Sequence, residues 1–310
     1  MKRRNKWLLA GIIFLLLLGG IIYGGSSYLF NYAFARSPYT GQPAAKKARQ
    51  LKVDQEWLKS VKTDKWHQQA VNSNIKLTAL YLPASKHSNK TVVIAHGYKE
   101  NYQRMASYIR FFHKAGFNVL APDDRGAGES GGRYQTFGWL DRLDYAKWCR
   151  KIVKNSGPKV KIGLFGVSMG GATVMMTSGE KLPSQVKAVV EDCGYTSVGA
   201  ELGTQLKAQF KLPEEPLLTT ASWIGDSKVG FNFKKASAVK QLRNNHLPVL
   251  FIHGGKDKFV PTSMVYQNYK ATAGPRQLWV VKQASHAMSY YEEPVEYQHK
   301  VLNFFNKYMN

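Results

Sequence analysis

A serine between two glycines is the residue of this chain whose surroundings best suit covalent chemistry. Ser168 stands at the centre of Gly166-Val167-Ser168-Met169-Gly170, after an apolar run at residues 160–165 and before a helix-compatible segment at 171–176. This order predicts a strand, a sharp turn and a helix, with the serine hydroxyl above the edge of a sheet. The pentapeptide alone is a weak signal, and it gains weight from the residues that could activate the hydroxyl.

Two residues further along the chain could complete a set of nucleophile, base and acid. Asp257 follows an apolar run at 247–254, and His286 follows another at 276–281. Since the carboxyl ends of parallel strands meet at one edge of a sheet, the three side chains can converge there. His286 would take the proton of Ser168 and return it to the leaving group, while Asp257 would fix the imidazole tautomer. Asp192 also follows a strand and is the alternative acid.

Negative charge that develops on a substrate oxygen would require two backbone donors. We predict that the N–H groups of Met169, next to the nucleophile, and Tyr98, in the loop after a strand at 91–95, are these donors. We expect His96 to support that loop by hydrogen bonding rather than to transfer protons.

Other chemistries fit the sequence less well. Residues 126–131 have the form Gly-x-Gly-x-x-Gly after a strand, but no clear helix opens there and nearby carboxylates would repel a pyrophosphate. No cluster has metal-ligand spacing, so we expect neither a metal nor a cofactor. Cys149 and Cys193 are expected to be buried, and Cys193 is a poor nucleophile candidate because Ser168 already occupies the turn.

The order of the motifs resembles that of the α/β-hydrolase superfamily. The similarity is strongest to membrane-anchored bacterial cell-surface hydrolases of the serine-aminopeptidase-like, prolyl-oligopeptidase-related branch. The resemblance implies a Ser168, Asp257 and His286 triad, and it favours Asp257 over Asp192 because His253-Gly254-x-x-Asp257 is the commoner arrangement. Ala127 departs from the family, whose members often carry His or Gln there. The motifs that carry the resemblance are His96-Gly97-Tyr98, residues 123–130, 166–170 and 191–195, His253-Gly254-Gly255-Lys256-Asp257, and Ser285-His286.

The N-terminal segment has the composition of a membrane span. Residues 7–30 carry no charge, and a basic stretch, Lys2-Arg3-Arg4-Asn5-Lys6, precedes them. About 20 apolar residues cross a bilayer as a helix. We predict an uncleaved signal anchor, single-pass in the cell membrane, with the catalytic domain outside the cytoplasm. A signal peptide cleaved after Ala33-Phe34-Ala35 is the alternative, although this site lies far from the apolar centre.

The chain is strongly basic, with 44 Lys and Arg against 20 Asp and Glu and a formal net charge of +24. No recognition motif accompanies this charge, so specific nucleic-acid binding is not expected. Outside the membrane, the charge would favour anionic lipid or a cell-wall polymer as a partner. A solvated basic surface without a partner explains the charge equally well.

The pattern of apolar runs predicts an α/β fold with a mostly parallel central sheet flanked by helices. We assign residues 1–35 to the basic cap and transmembrane signal anchor, 36–64 to a stalk or leading helix, and 65–310 to a hydrolase domain. A short helical lid is expected at about 195–235, where the alternation of strands and helices breaks. The function expected is ester hydrolysis by a Ser-His-Asp triad through an acyl-enzyme, on a small acyl-ester or peptide-like substrate. The alternatives are a serine peptidase or amidase and a catalytically silent binding module.

Overall fold

A single mostly parallel sheet organises the protein, as a computed structural model describing residues 2–38 and 40–310 shows. Across the sheet the strand order is β1-β2-β4-β3-β5-β6-β7-β8. The pairs β1–β2 and β2–β4 are antiparallel and the other neighbours are parallel. The predicted α/β fold class is confirmed. The strands of the described residues are β1 (Asp64–Gln69), β2 (Lys76–Leu82), β3 (Lys90–Ala95), β4 (Asn118–Pro122), β5 (Lys161–Val167), β6 (Val186–Asp192), β7 (Val249–Gly254) and β8 (Arg276–Val281).

Helices cover both faces of this sheet. A short 3₁₀ turn, Tyr102–Met105, leads into α3, and a π turn, Leu206–Phe210, follows α6. The α-helices of the described residues are α1 (Lys2–Phe34), α2 (Ala45–Ser60), α3 (Ala106–Lys114), α4 (Asp141–Ser156), α5 (Met169–Ser178), α6 (Val198–Gln205), α7 (Leu217–Val229), α8 (Ala238–Leu242), α9 (Ser263–Ala271), α10 (Ser289–Glu292) and α11 (Pro294–Met309).

The central strands are mostly apolar because both faces of the sheet are covered. Strands β6 and β7 are almost completely buried, and so is β5 after its first residue. One core lies beneath α4, α5, α8 and α9, and the other beneath α2, α3 and α11. This packing fixes the carboxyl ends of β5, β7 and β8, which carry the candidate catalytic residues.

The region between β6 and β7 departs from the strand–helix alternation. It contains α6, the π turn and α7, which lie above the carboxyl edge of the sheet and line the cavity there. The lid was expected at about 195–235, and these helices lie within that range.

Helix α1 changes its surroundings along its length. Side chains from Trp7 to Leu18 are largely exposed, and the segment Asn5–Phe34 is long and apolar enough to cross a membrane. Near the end of the helix, Phe30 and Phe34 are only 1% exposed. The last turns of α1 therefore belong to the packed domain.

Candidate active site

Ser168 lies on a strained turn between β5 and α5. Its backbone has φ of 58° and ψ of −120°, a combination that a residue with a side chain rarely adopts. A side chain at Gly166 would collide with the carbonyl of Gly170, and one at Gly170 would collide with the carbonyl of Ala95. The glycines therefore allow strand and helix to approach each other, and the turn presents the hydroxyl at the sheet edge.

The three predicted catalytic side chains lie in one hydrogen-bonded line. Ser168 Oγ is 2.8 Å from His286 Nε2, and His286 Nδ1 is 2.7 Å from Asp257 Oδ2. With a proton on Nδ1 donated to Asp257, Nε2 is free to accept the serine proton, so the arrangement suits general-base activation of the hydroxyl. His286 is partly exposed toward the cavity, whereas Asp257 is buried.

Both oxygens of the Asp257 carboxylate are hydrogen bonded. Its Oδ1 accepts the backbone N–H groups of Phe259 at 2.9 Å and Val260 at 3.0 Å. Burial acts most strongly on Asp257 and raises its pKa, but interactions with His253 and His286 outweigh it and hold the pKa below its ordinary value. The group is thus kept ionised, as a partner for a developing imidazolium requires.

His253 is a neighbour of the acid to which the sequence assigned no role. Its Nε2 lies 3.4 Å from Asp257 Oδ2 and 3.0 Å from the carbonyl oxygen of Val260, to which it donates a hydrogen bond. The side chain is completely buried. The four-residue spacing between His253 and Asp257 was the only signal available, because their contact depends on how the loop after β7 folds back.

Asp192, the alternative acid, has different partners. Its carboxylate accepts hydrogen bonds from Ser289 Oγ at 3.3 Å and from the Tyr297 hydroxyl at 3.0 Å. Burial raises its pKa to about 6. Among the described residues, the carboxylate hydrogen bonded to His286 is that of Asp257.

Both residues predicted to supply oxyanion donors border the same cavity as Ser168. Met169 is the first residue of α5, and the first N–H groups of a helix have no partner within it. Tyr98 follows Gly97, whose carbonyl is bound by His96 Nδ1 at 2.8 Å and by the N–H of Glu100 at 3.1 Å. Its hydroxyl donates to the carbonyl of Ala33 at 2.6 Å, so the loop is tied to α1. The assignment of these two amides as oxyanion donors remains a prediction.

The loop after β4 is a structural support for the site. His96 Nε2 accepts the N–H of Asp124 at 3.0 Å, which agrees with the supporting role predicted for His96. Arg125 forms a buried ion pair with Asp144 at 2.7 Å. The glycine-rich segment 126–131 closes on itself, with the N–H of Gly126 bound to the carbonyl of Gly131 at 2.8 Å.

A cavity of about 520 Å³ opens beside Ser168 and His286, within the size range of small-molecule sites. Its walls include the end of α1, the segment before α2, the lid, and the loops after β3, β5, β7 and β8. Most of the wall is apolar. Among the lining residues are Leu29, Phe30, Phe34, Pro43, Met105, Phe137, Leu206, Phe210, Leu217, Leu218, Phe233 and Phe259.

Cys193, Asp257 and His286 place three atoms that could bind a metal within 4.8 Å of one another. Two of these groups, however, are already hydrogen bonded to each other. Burial raises the pKa of the Cys193 thiol well above its ordinary value, which disfavours the thiolate that a metal would require. The donor set therefore suits a hydrogen-bonded triad better than a metal centre. Both cysteines are free and buried, as expected.

Known proteins are similar to this chain in sequence and in fold. Residues 86–223 match the family described as serine aminopeptidase, S33. The Pyrococcus furiosus esterase Pf2001 superposes with a TM-score of 0.66 at 24% identity, over 89% of this chain and 98% of that chain. This chain is an α/β-hydrolase-fold protein. The α/β-hydrolase fold implied by its motifs is thereby confirmed.

Two further proteins are similar to this α/β-hydrolase-fold protein. The Pyrococcus horikoshii acylaminoacyl peptidase has a TM-score of 0.58 at 17% identity, over 82% of this chain and 43% of that chain. The uncharacterized protein YqkD of Bacillus subtilis (strain 168) is 28% identical over 226 residues, covering 73% of this chain and 74% of YqkD. The S33 match includes Ser168 and ends before Asp257 and His286. The positions of those two residues are therefore known from the geometry alone.

Proposed function

We propose that this protein is a membrane-anchored serine hydrolase that cleaves carboxylic esters through an acyl-enzyme on Ser168. The observation that carries the proposal is the hydrogen-bonded line from Ser168 through His286 to Asp257 at the edge of an apolar cavity. Similarity to an esterase of the same fold supports the reaction class.

The reaction would proceed in two acyl transfers. Ser168 Oγ attacks the ester carbonyl carbon as its proton passes to His286 Nε2, and the N–H groups of Met169 and Tyr98 stabilise the oxyanion. The intermediate collapses with cleavage of the bond to the alcohol oxygen, which takes the proton from His286. Water, deprotonated by His286, then attacks the acyl-enzyme and releases the carboxylic acid.

A serine peptidase or amidase is the second candidate, because the matched family is described as serine aminopeptidase. An aminopeptidase must hold a cationic substrate amine, and the buried acid nearest the cavity is Glu201 of the lid. Burial raises the pKa of Glu201 to about 8, so this carboxyl is mainly neutral at pH 7. The apolar walls favour an ester substrate.

Retention of α1 as an anchor is supported by how its end packs. The ring centroids of Phe34 lie 4.8 Å from Phe137 and 5.4 Å from Phe233. Cleavage after Ala35 would remove Phe30 and Phe34 from the domain and expose the rings beneath them. The basic residues before the span support an N-terminus in the cytoplasm and a catalytic domain outside it.

A substrate panel separates these candidates. The full-length protein in detergent would be given p-nitrophenyl esters and aminoacyl-anilides, with Ser168→Ala as the matched control. We expect turnover of the esters, weaker turnover of the anilides, and neither in the variant. Faster anilide cleavage would assign the peptidase function, and no turnover with either class would favour the silent binding module.

A further inference from the structure

The wall of the catalytic cavity includes the membrane helix itself. Leu29, Phe30 and Phe34 of α1 face the same cavity as Ser168 and His286. Lid residues form the adjoining wall, and α1 and α7 meet directly. Ser26 Oγ donates to the carbonyl of Leu217 at 3.2 Å. The lid residues of that wall are Leu206, Phe210, Leu217, Leu218 and Ala221.

The length of α1 places this wall at the membrane surface. At 1.5 Å per residue, about 20 residues cross the roughly 30 Å hydrocarbon core. Counted from Trp7, 20 residues end at Ser26, two residues before Tyr28. Trp7 is 74% exposed, and Tyr23, Tyr28 and Tyr32 are 59%, 64% and 48% exposed at the other end. Aromatic side chains of this kind gather at the two interfaces of a bilayer.

Polar and aromatic side chains near the cavity are of the types found at a membrane surface. Trp223 on α7 is 65% exposed. Lys99 Nζ donates to the carbonyl of Tyr32 at 3.0 Å, and Lys228 Nζ lies 5.5 Å from the ring centroid of Phe30. Lysines around the end of a membrane helix attract anionic headgroups, which would hold the lid against the surface.

We propose that the substrate is a long-chain acyl ester of a lipid that stays in the bilayer, and that its acyl chain reaches Ser168 along the contact between α1 and α7. This inference rests on the ester-hydrolase function proposed above. The same helix, α1, carries exposed apolar side chains from Trp7 to Ile21 and the wall residues Leu29 and Phe30, so the acyl chain would exchange one apolar environment for another. The reaction consumes water and yields a free fatty acid and the lipid alcohol.

The test uses the full-length protein in vesicles of dioleoyl phosphatidylcholine and dioleoyl phosphatidylglycerol that contain dioleoylglycerol. Oleate release reports cleavage of any of these lipids, and p-nitrophenyl acetate in the water reports the same active site without the membrane route. We expect the wild type to release oleate above the level seen with Ser168→Ala. Cleavage of the acetate without oleate release would overturn the lipid substrate and leave the ester-hydrolase function standing. Cleavage of neither would overturn both.

Substitutions in the cavity wall test whether the acyl chain reaches Ser168 along α1. Leu29→Glu places a carboxylate where the acyl chain would pass, and Val295→Glu makes the same exchange at a position on α11 that is 81% exposed. We expect Leu29→Glu to lower the ratio of oleate release to acetate cleavage by at least about tenfold, which corresponds to about 1.4 kcal/mol of binding. Val295→Glu should leave the ratio unchanged.

A second variant keeps the route testable if Leu29→Glu does not fold. Ala33→Leu adds bulk to the same wall and narrows the cavity without adding charge. It should also lower the ratio of oleate release to acetate cleavage. Acetate cleavage shows that each variant is folded. An unchanged ratio in a folded Leu29→Glu or Ala33→Leu protein would overturn the route along α1.

Discussion

Asp257 divides its two carboxylate oxygens between His286 and the backbone of its own loop. Oδ2 lies 2.7 Å from His286 Nδ1, while Oδ1 accepts the N–H groups of Phe259 and Val260. The acid is therefore oriented before any substrate arrives. This relationship distinguishes Asp257 from Asp192, which is bound to Ser289 and Tyr297 instead.

Asp257→Asn should lower turnover of a p-nitrophenyl ester by orders of magnitude, about 10⁴-fold by analogy with the serine proteases, because the amide favours the wrong imidazole tautomer. Asp192→Asn is the matched control and should have a much smaller effect. Steady-state kinetics on both variants, with circular dichroism to verify folding, would make the comparison. A greater loss in Asp192→Asn would show that the acid is misassigned.

His253 should act as a positioning residue for Asp257. His253→Ala removes the donor to the Val260 carbonyl, and the loss of a buried hydrogen bond costs about 1–3 kcal/mol. We expect kcat to fall roughly tenfold with little change in KM, since the acid moves while the cavity does not. His253→Gln keeps an amide donor and should recover most of kcat. Equal kcat values for His253→Ala and the wild type would refute this role.

The sequence predicts best those elements of the fold that a short contiguous stretch of residues specifies. Strands β5, β7 and β8 contain contiguous apolar runs, so these elements were predicted within a few residues. The order of Ser168, Asp257 and His286 after three strands also predicted the residues that the structure brings together.

The contacts of α1 could not be predicted in the same way. Residues 7–30 show no amphipathic period, so nothing in them indicates which face would pack on the lid. The sequence therefore predicted a span, whereas the last turns of α1 also form part of the cavity wall. His253 was missed for a related reason, since its contact with Asp257 arises from the tertiary fold of a loop.

The buried end of α1 should stabilise the domain. Phe34→Ala should lower the free energy of unfolding by about 3–5 kcal/mol, the usual cost of truncating a buried phenylalanine. Phe14→Ala is the matched control, because Phe14 is 65% exposed on the same helix. Denaturant unfolding of both full-length proteins in detergent would measure the difference. Equal stabilities would contradict the packing of α1 into the domain.

Glu191 should make stability depend on pH. Burial raises its pKa from an ordinary 4.5 to about 8, although His253 and the N–H of Gly194 oppose this. Between these values the folded protein keeps a proton that the unfolded chain releases, so the free energy of unfolding falls as pH rises. Glu191→Gln should flatten that fall by up to about 1.4 kcal/mol per pH unit. Glu56→Gln, at an exposed position, should leave the pH dependence of the free energy of unfolding unchanged.

Denaturant titrations at several pH values between 5 and 8 would test this dependence, with the slope of stability against pH as the quantity compared. A slope in Glu191→Gln equal to that of the wild type would show that Glu191 does not carry the proton.

The central claim is that Ser168 is the activated nucleophile, and labelling with a fluorophosphonate tests it most directly. The reagent forms a stable bond only with a serine whose hydroxyl is activated, so peptide mass analysis of the labelled full-length protein identifies the nucleophile. We predict one modified peptide containing Ser168, and no labelling of Ser168→Ala. A wild-type protein that stays unlabelled, or an equally labelled Ser168→Ala variant, would contradict the account.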